Sequence, residues 1–258
     1  MNSVQYPVAF LSVPHIIFMV VLLPISAVTS VFLAKKYGFT KKILWVYMIL
    51  GMICEVEKII FFLEEIPGGG VRLPPDQLPL NPCPFMVVLL FILVFSKNPR
   101  EKKALISYMY PMMAAGGFIG MIIPSAAVHF HGLLDLATYR YFFFHSMIIS
   151  CGIYIYRSKP FDYGMKDYAM ALFLTCSQLL IGVWMNAFFG WDHTVNQQFV
   201  VRAPLEGVPL LNMQKGWTVY MLNMMGIGVF LVTSCYVPVI IKNLPAAVHK
   251  IKEKLRVS

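Results

Sequence analysis

LPPDQLPLNPCPFMVVLLFILVFSKNPREKK, residues 73–103, is the stretch that decides how this chain folds. Its prolines at 74, 75, 79, 82 and 84 exclude a helix interior over the first part, because each removes a backbone donor and crowds the preceding turn. The apolar run that follows stops at the basic cluster Lys97, Arg100, Lys102 and Lys103. A helix from Pro84 to Ser96 is about 20 Å long, against a hydrocarbon core of about 30 Å. If its basic end sits at one bilayer surface, its other end lies about 10 Å inside the opposite one. Extended chain at that depth is tolerated only where protein or a water-filled cavity encloses it. The stretch therefore predicts a short helix, a Pro-rich re-entrant approach and a pocket where the two meet.

The rest of the chain fits this reading. Of 258 residues, 59% are hydrophobic and 13% charged, roughly half the charged fraction of about 25% in soluble domains. A soluble globular protein is excluded. Apolar runs near 14–34, 43–63, 84–96, 104–128, 139–157, 168–190 and 216–241 predict an all-α membrane protein, a seven-transmembrane-helix bundle forming one domain over 1–258. Lys35, Lys36, Lys41 and Lys42, then Lys97 to Lys103, then Arg157, Lys159 and Lys166, then a basic tail over 243–258 fall on one side. The other side receives Arg72, Arg140, Arg202 and Lys215. Positive loops face the cytoplasm, so the expected N-terminus is outside and the C-terminus cytoplasmic, as in an integral multi-pass cell membrane protein. In the tail, Val248, Ile251 and Leu255 keep helical spacing among lysines, which suits a short interfacial helix or an ordinary positive-inside tail. The first run lacks a basic leader and a cleavage site and reads as a retained span.

The net charge of +9 is thus a topology signal, and no nucleic-acid partner is expected. The cysteines, Cys54, Cys83, Cys151, Cys176 and Cys235, are odd in number and all but Cys83 lie inside apolar runs, so no disulfide framework is implied.

Pro84 suits the first position of a helix, which would make Cys83 its N-cap. There the free N–H groups and the helix dipole favour a thiolate, although a small residue could sit at a helix start with no chemistry attached. His145, in YRYFFFHSMIIS, lies at a similar expected depth, and a neutral histidine beside a thiol can take and return its proton. On the second helix Glu55 and Lys58 are three residues apart and can share a face, while Glu57 points elsewhere. Glu55 is the expected orienter of His145. Lys58 is its charge balance or a contact to a lipid phosphate, and a purely structural ion pair fits as well. Asn186 and His15 could complete a polar cluster or merely bond between helices. His129 and His131 raise a metal site, but zinc needs three or four convergent ligands; solvated loop histidines and no metal are expected. Gly68, Gly69 and Gly70 read as a flexible loop rather than a phosphate cradle.

With these residues in view, the chain resembles the YwaF family of integral membrane proteins, which includes the transmembrane protein 164 type. The resemblance rests on Glu55 and Lys58, on Leu78, Pro79, Leu80 and Cys83 before the third helix, on His145, and on Asn196 ahead of Arg202 and Pro204. It implies seven helices and acyl transfer between phospholipids through a cysteine acyl-enzyme, with Asn196 near substrate; Asn186 is expected there from the polar cluster alone.

The leading expectation is a cysteine-dependent lipid acyltransferase or lipase. Cys83 is the nucleophile, His145 its base, the N–H groups of Met86 and its neighbours the oxyanion donors, and Lys58 the phosphate contact. Phospholipids or lysophospholipids are the partners; no cofactor is expected, and the oligomeric state is left open. The alternatives are a non-enzymatic binder or transporter of a small or lipidic anion, and a metal-dependent lipid amidase using His129, His131 and His145. The site assignments of the leading expectation require Cys83, His145, Glu55 and Lys58 to line one pocket.

Overall fold

The computed structural model describes residue 8, residues 10–66, 68–124, 132–189, 195–202, 210–211 and 213–257, with the backbone alone from 245 onward. Seven helices are present among the described residues: α1 Val13–Tyr37, α2 Lys41–Phe61, α3 Pro82–Phe95, α4 Pro99–Ile122, α5 Leu136–Arg157, α6 Met165–Phe189 and α7 Trp217–Val257. Each coincides with an apolar run seen in the sequence. α1, α4, α6 and the Trp217–Leu244 part of α7 are long and apolar enough to cross a membrane, and α3 is the shorter apolar helix. Large apolar side chains such as Val20, Trp184, Leu222 and Phe230 are exposed on the outside, a surface that suits lipid rather than water.

α5 is the hub. From Phe142 to Ile155 nearly all its side chains are buried, and it packs against α1, α2, α3 and α4. A helix enclosed by other helices has no need of an apolar surface toward lipid, which explains its tyrosines, serines, Arg140 and His145. Small residues let α1 approach closely, and hydroxyls fasten the contact. Ser26 Oγ lies 2.7 Å from Ser146 Oγ, and Ser30 Oγ lies 2.9 Å from Ser150 Oγ, which is in turn 2.7 Å from the Tyr47 hydroxyl on α2. Tyr154 closes the same seam by donating to Gly38 O and accepting from Thr40 N at the α1–α2 turn.

Three local features depart from expectation. Gly68, Gly69 and Gly70, all at positive φ, form the tip of a short antiparallel hairpin in which β1 Glu64–Glu65 pairs with β2 Val71–Arg72. α4 contains a π-turn over Met112–Gly116, immediately after Pro111, whose missing N–H breaks the regular ladder. α7 runs without a break to Val257, so the backbone of the basic tail continues that helix and is not a separate one.

The π-turn is where α5 comes closest. A Cβ on Gly152 would lie 2.5 Å from Ala114 N and 2.9 Å from Tyr110 O, both backbone atoms that cannot step aside. Gly152→Ala is expected to destabilise the folded protein by about 1–3 kcal/mol through this overlap. Gly226→Ala, where nothing lies within 4 Å, is expected to be neutral or slightly stabilising. Thermal unfolding of both variants in detergent checks the contrast; equal melting temperatures would contradict the packing described.

Candidate functional site

A cavity of about 460 Å³ lies between α2, α4, α5, α6, α7 and the chain leading into α3, within the range of about 300–1,000 Å³ found for small-molecule sites. Cys83, His145, Glu55, Lys58 and Asn196 all line it. Its wall is divided. Met112, Ile119, Phe144, Leu179, Ile227 and Leu231 are apolar, whereas Glu55, Lys58, Asp76, Arg140, Gln198 and Arg202 carry the polar groups.

Cys83 is presented by the first turn of α3. The helix starts two residues earlier than the sequence suggests: Asn81 is the N-cap, Pro82 occupies the first position, and Cys83 is the second residue of the helix rather than its cap. Both prolines carry the φ a first turn needs, so the sequence pattern fits either start. The shift matters chemically. Of the four N–H groups a helix start leaves unpaired, those of residues 82 and 84 do not exist, and Phe85 N already donates to Asn81 O at 2.9 Å. Among the helical residues of the first turn, the Cys83 N–H is the donor left. Met86 is a buried core residue inside the helix, where its N–H belongs to the regular ladder, and it does not line the cavity. The oxyanion role expected for Met86 is therefore withdrawn.

His145 is buried, with its ring edge laid on Gly120 of α4, where a Cβ would come within 2.7 Å of Nε2. Its Nδ1 is 2.8 Å from Tyr141 O. A carbonyl can only accept, so Nδ1 carries the proton and the neutral ring keeps its lone pair on Nε2. Tyr141 also ties the two helices at this level by donating from its hydroxyl to Gly120 O at 2.7 Å. The orienter of His145 is thus the backbone of its own helix and not Glu55.

Glu55 belongs to Lys58, whose Nζ donates to its Oε2 at 2.6 Å in a nearly buried pair. A second ion pair links Arg140 Nε to Glu57 Oε2 at 2.7 Å, across α5 and α2. The sequence assigned Arg140 to topology alone. A charge early in an apolar helix, with Glu57 lacking a same-face partner on its own helix, is the signal that could have found it.

Two expected site residues act elsewhere. His15 is fully buried, accepts from Leu11 N through Nδ1 and lies 2.7 Å by Nε2 from Met121 O, which joins α1 to α4. Asn186 has 0% exposure and clasps the 310 turn Gln197–Phe199, with its Nδ2 donating to Gln197 O at 2.8 Å and its Oδ1 accepting from Gln197 N at 3.0 Å. Neither lines the cavity. Asn196 does, and it also shapes the loop, accepting from Val201 N and Arg202 N and donating to Arg202 O.

The described residues contain no group of three or more histidine, cysteine or acidic side chains able to hold a metal. His129, His131 and His193 lie outside the described residues.

The arrangement holds a thiol, a histidine with a lone pair on Nε2 and two ion-paired cations around a space that is apolar along much of its wall. No curated protein and no solved structure matches the chain. The TMEM164 family profile matches residues 10–236, in agreement with the resemblance drawn from Cys83 and His145. With nearly its whole length covered by that match, the chain belongs to the TMEM164 family.

Proposed function

We propose that this membrane protein transfers or hydrolyses phospholipid acyl chains through a thioester on Cys83. The observation that carries the reading is the convergence of Cys83 and His145 on one cavity with a divided wall. An acyl chain would lie along the apolar residues and the headgroup near Lys58 and Arg140. In the bilayer α2, α3 and α5 join the four long apolar helices to make seven spans. Their polar residues are spent on one another and on the cavity: Tyr47 with Ser150, Glu55 with Lys58, Glu57 with Arg140. The basic loops then set an outside N-terminus and a cytoplasmic C-terminus, with the site opening toward the outer half of the cell membrane.

Chemistry follows from the free groups. His145 Nε2 accepts the Cys83 thiol proton, and the sulfur attacks the ester carbonyl. The Cys83 N–H, aligned with the helix dipole, faces the developing oxyanion. Collapse breaks the ester C–O bond, the leaving lysolipid oxygen takes the proton from His145, and the acyl chain remains as a thioester. An acceptor hydroxyl, from a lysolipid or water, then gives its proton to Nε2 and attacks the thioester, and the departing thiolate recovers the proton. A neutral Nε2 at rest suits this sequence, since a protonated ring could not begin it.

The rival reading, an anion binder or transporter using the same helix end, draws less support from the site. Two of the donors such a helix end would offer are prolines, Pro82 and Pro84.

A lipid carrying an acyl-phosphate or fluorophosphonate group is expected to label the purified protein and to lose at least nine-tenths of that labelling in Cys83→Ala. Equal labelling of the variant would remove Cys83 as nucleophile. Gly120→Ala tests the histidine without replacing either reacting group. Its methyl must displace the His145 ring, and a misplacement of about 1 Å costs up to about 100-fold in rate. Acyl transfer should fall at least tenfold while labelling of an unfolded control is unchanged; full activity in Gly120→Ala would mean that His145 takes no part.

A further inference from the structure

The chain leading into α3 turns over residues 78–81, with Leu80 N donating to Leu78 O at 2.7 Å, and α3 itself holds it by a single bond from Phe85 N to Asn81 O. A residue more than a hundred positions later adds further holds. Gln198, at the centre of the 310 turn between α6 and α7, is 3% exposed and has φ 58°, ψ 14°, a left-handed conformation that side chains other than glycine and asparagine seldom adopt. Phe199 follows at φ 56°. Two successive residues in this region persist only where their surroundings over-determine them.

The surroundings are all hydrogen bonds aimed at one target. Gln198 N donates to Asn81 Oδ1 at 3.0 Å, and its Nε2 donates to Leu80 O. Its Oε1 accepts from Gln178 Nε2 of α6 at 2.7 Å. Gly182, one turn along α6, makes room for the side chain: a Cβ there would lie 2.6 Å from Gln198 Cβ. On the neighbouring residue, Gln197 Nε2 donates to Pro75 O at 2.6 Å, and Asn186 holds the backbone of Gln197 from both sides. Asn81 is the N-cap of α3, yet its side chain makes no capping bond. It is turned to Gln198 instead, at the expense of a bond worth about 1 kcal/mol to a helix. Leu80 and Asn81 are the residues directly ahead of Pro82 and Cys83.

We infer that Gln198 is a positioning residue for Cys83, holding the backbone of Leu80 and Asn81 so that the thiol stands in register with the cavity. The inference deepens the proposed acyl transfer and rests on that reading for its catalytic consequence, but the geometry of the clamp is independent of it. Rigid placement of a nucleophile is worth large factors in rate, and a clamp assembled from a distant loop is how a helix start with two prolines and no side-chain cap can supply it.

The test separates position from stability. Gln198→Gly and Gln198→Asn both accept the left-handed backbone without strain, so either can keep the loop conformation while losing the bond to Leu80 O. The alkylation rate of each cysteine by N-ethylmaleimide is followed by peptide mass spectrometry on the full-length protein in detergent, together with thermal unfolding. The expected result is a change of at least threefold in the Cys83 rate, with Cys176 and Cys235 unchanged and the melting temperature held. Asn81→Ala, which removes the bond from Gln198 N and leaves the bond to Leu80 O, should also change the Cys83 rate, and the double variant, which loses both, should be affected at least as much as either single one. In acyl transfer, kcat should fall at least tenfold in Gln198→Gly with KM unchanged.

A folded Gln198→Gly or Gln198→Asn with an unaltered Cys83 alkylation rate would overturn the inference. If Gln198→Gly does not fold, Gln198→Asn and Asn81→Ala decide it. If the wild type forms no acyl adduct, the acyl-transfer reading fails while the alkylation rates still settle whether Gln198 positions Cys83.

Discussion

The helices of this protein must hold a partly buried stretch of backbone that cannot form a regular α-helix. Residues 73–81 carry three of the prolines that keep the approach to α3 to a 310 turn at Pro75–Gln77 and a series of bends, and the partly buried carbonyls there need donors. Gln197 and Gln198 provide those donors, to Pro75 O and to Leu80 O. The clasp of Asn186 and the strained turn exist to bring the two glutamines to that position. The cavity is a consequence: α3 begins late, the helices around it continue, and the space between is lined partly by the unpaired start of a helix and partly by the apolar flanks of its neighbours.

The same economy governs the charges. Four ionisable groups from α2 and α5 form two pairs, Glu55 with Lys58 and Glu57 with Arg140. Buried pairs of this kind contribute little net stability against an apolar alternative, because desolvation offsets most of their attraction. Their presence beside a cavity is better understood as chemistry than as support for the fold. The π-turn of α4 belongs to the same region, since Met112 and Gly116 line the cavity and the turn admits Gly152 of α5 against its backbone.

What could be seen in the sequence was what depends on spacing. Apolar runs located all seven helices, including α2 and α5, whose polar content is explained by their enclosure. The prolines located the late start of α3, and the four residues expected together, Cys83, His145, Glu55 and Lys58, line one cavity. What could not be seen depends on which of two equivalent local choices the packing selects. Pro82 and Pro84 are equally good first residues, so the N-cap fell on Asn81 and not on Cys83, and Met86 moved out of reach. A histidine can be oriented by a carboxylate or by a carbonyl one turn earlier, and here the carbonyl of Tyr141 is used. Nothing in VNQQFVVRAP announces that Gln198 adopts a left-handed backbone, because the conformation is imposed by Asn81, Leu80 and Gln178 from three other segments.

Covalent attachment of an acyl chain to one sulfur is the central chemical claim. Intact-mass spectrometry of the purified protein after incubation with a phospholipid of known chains measures it directly. The account predicts a mass increase equal to one of those acyl groups, removed by neutral hydroxylamine and mapped to the peptide containing Cys83. An unmodified mass under conditions where lysolipid accumulates, or an adduct on any other residue, would contradict it.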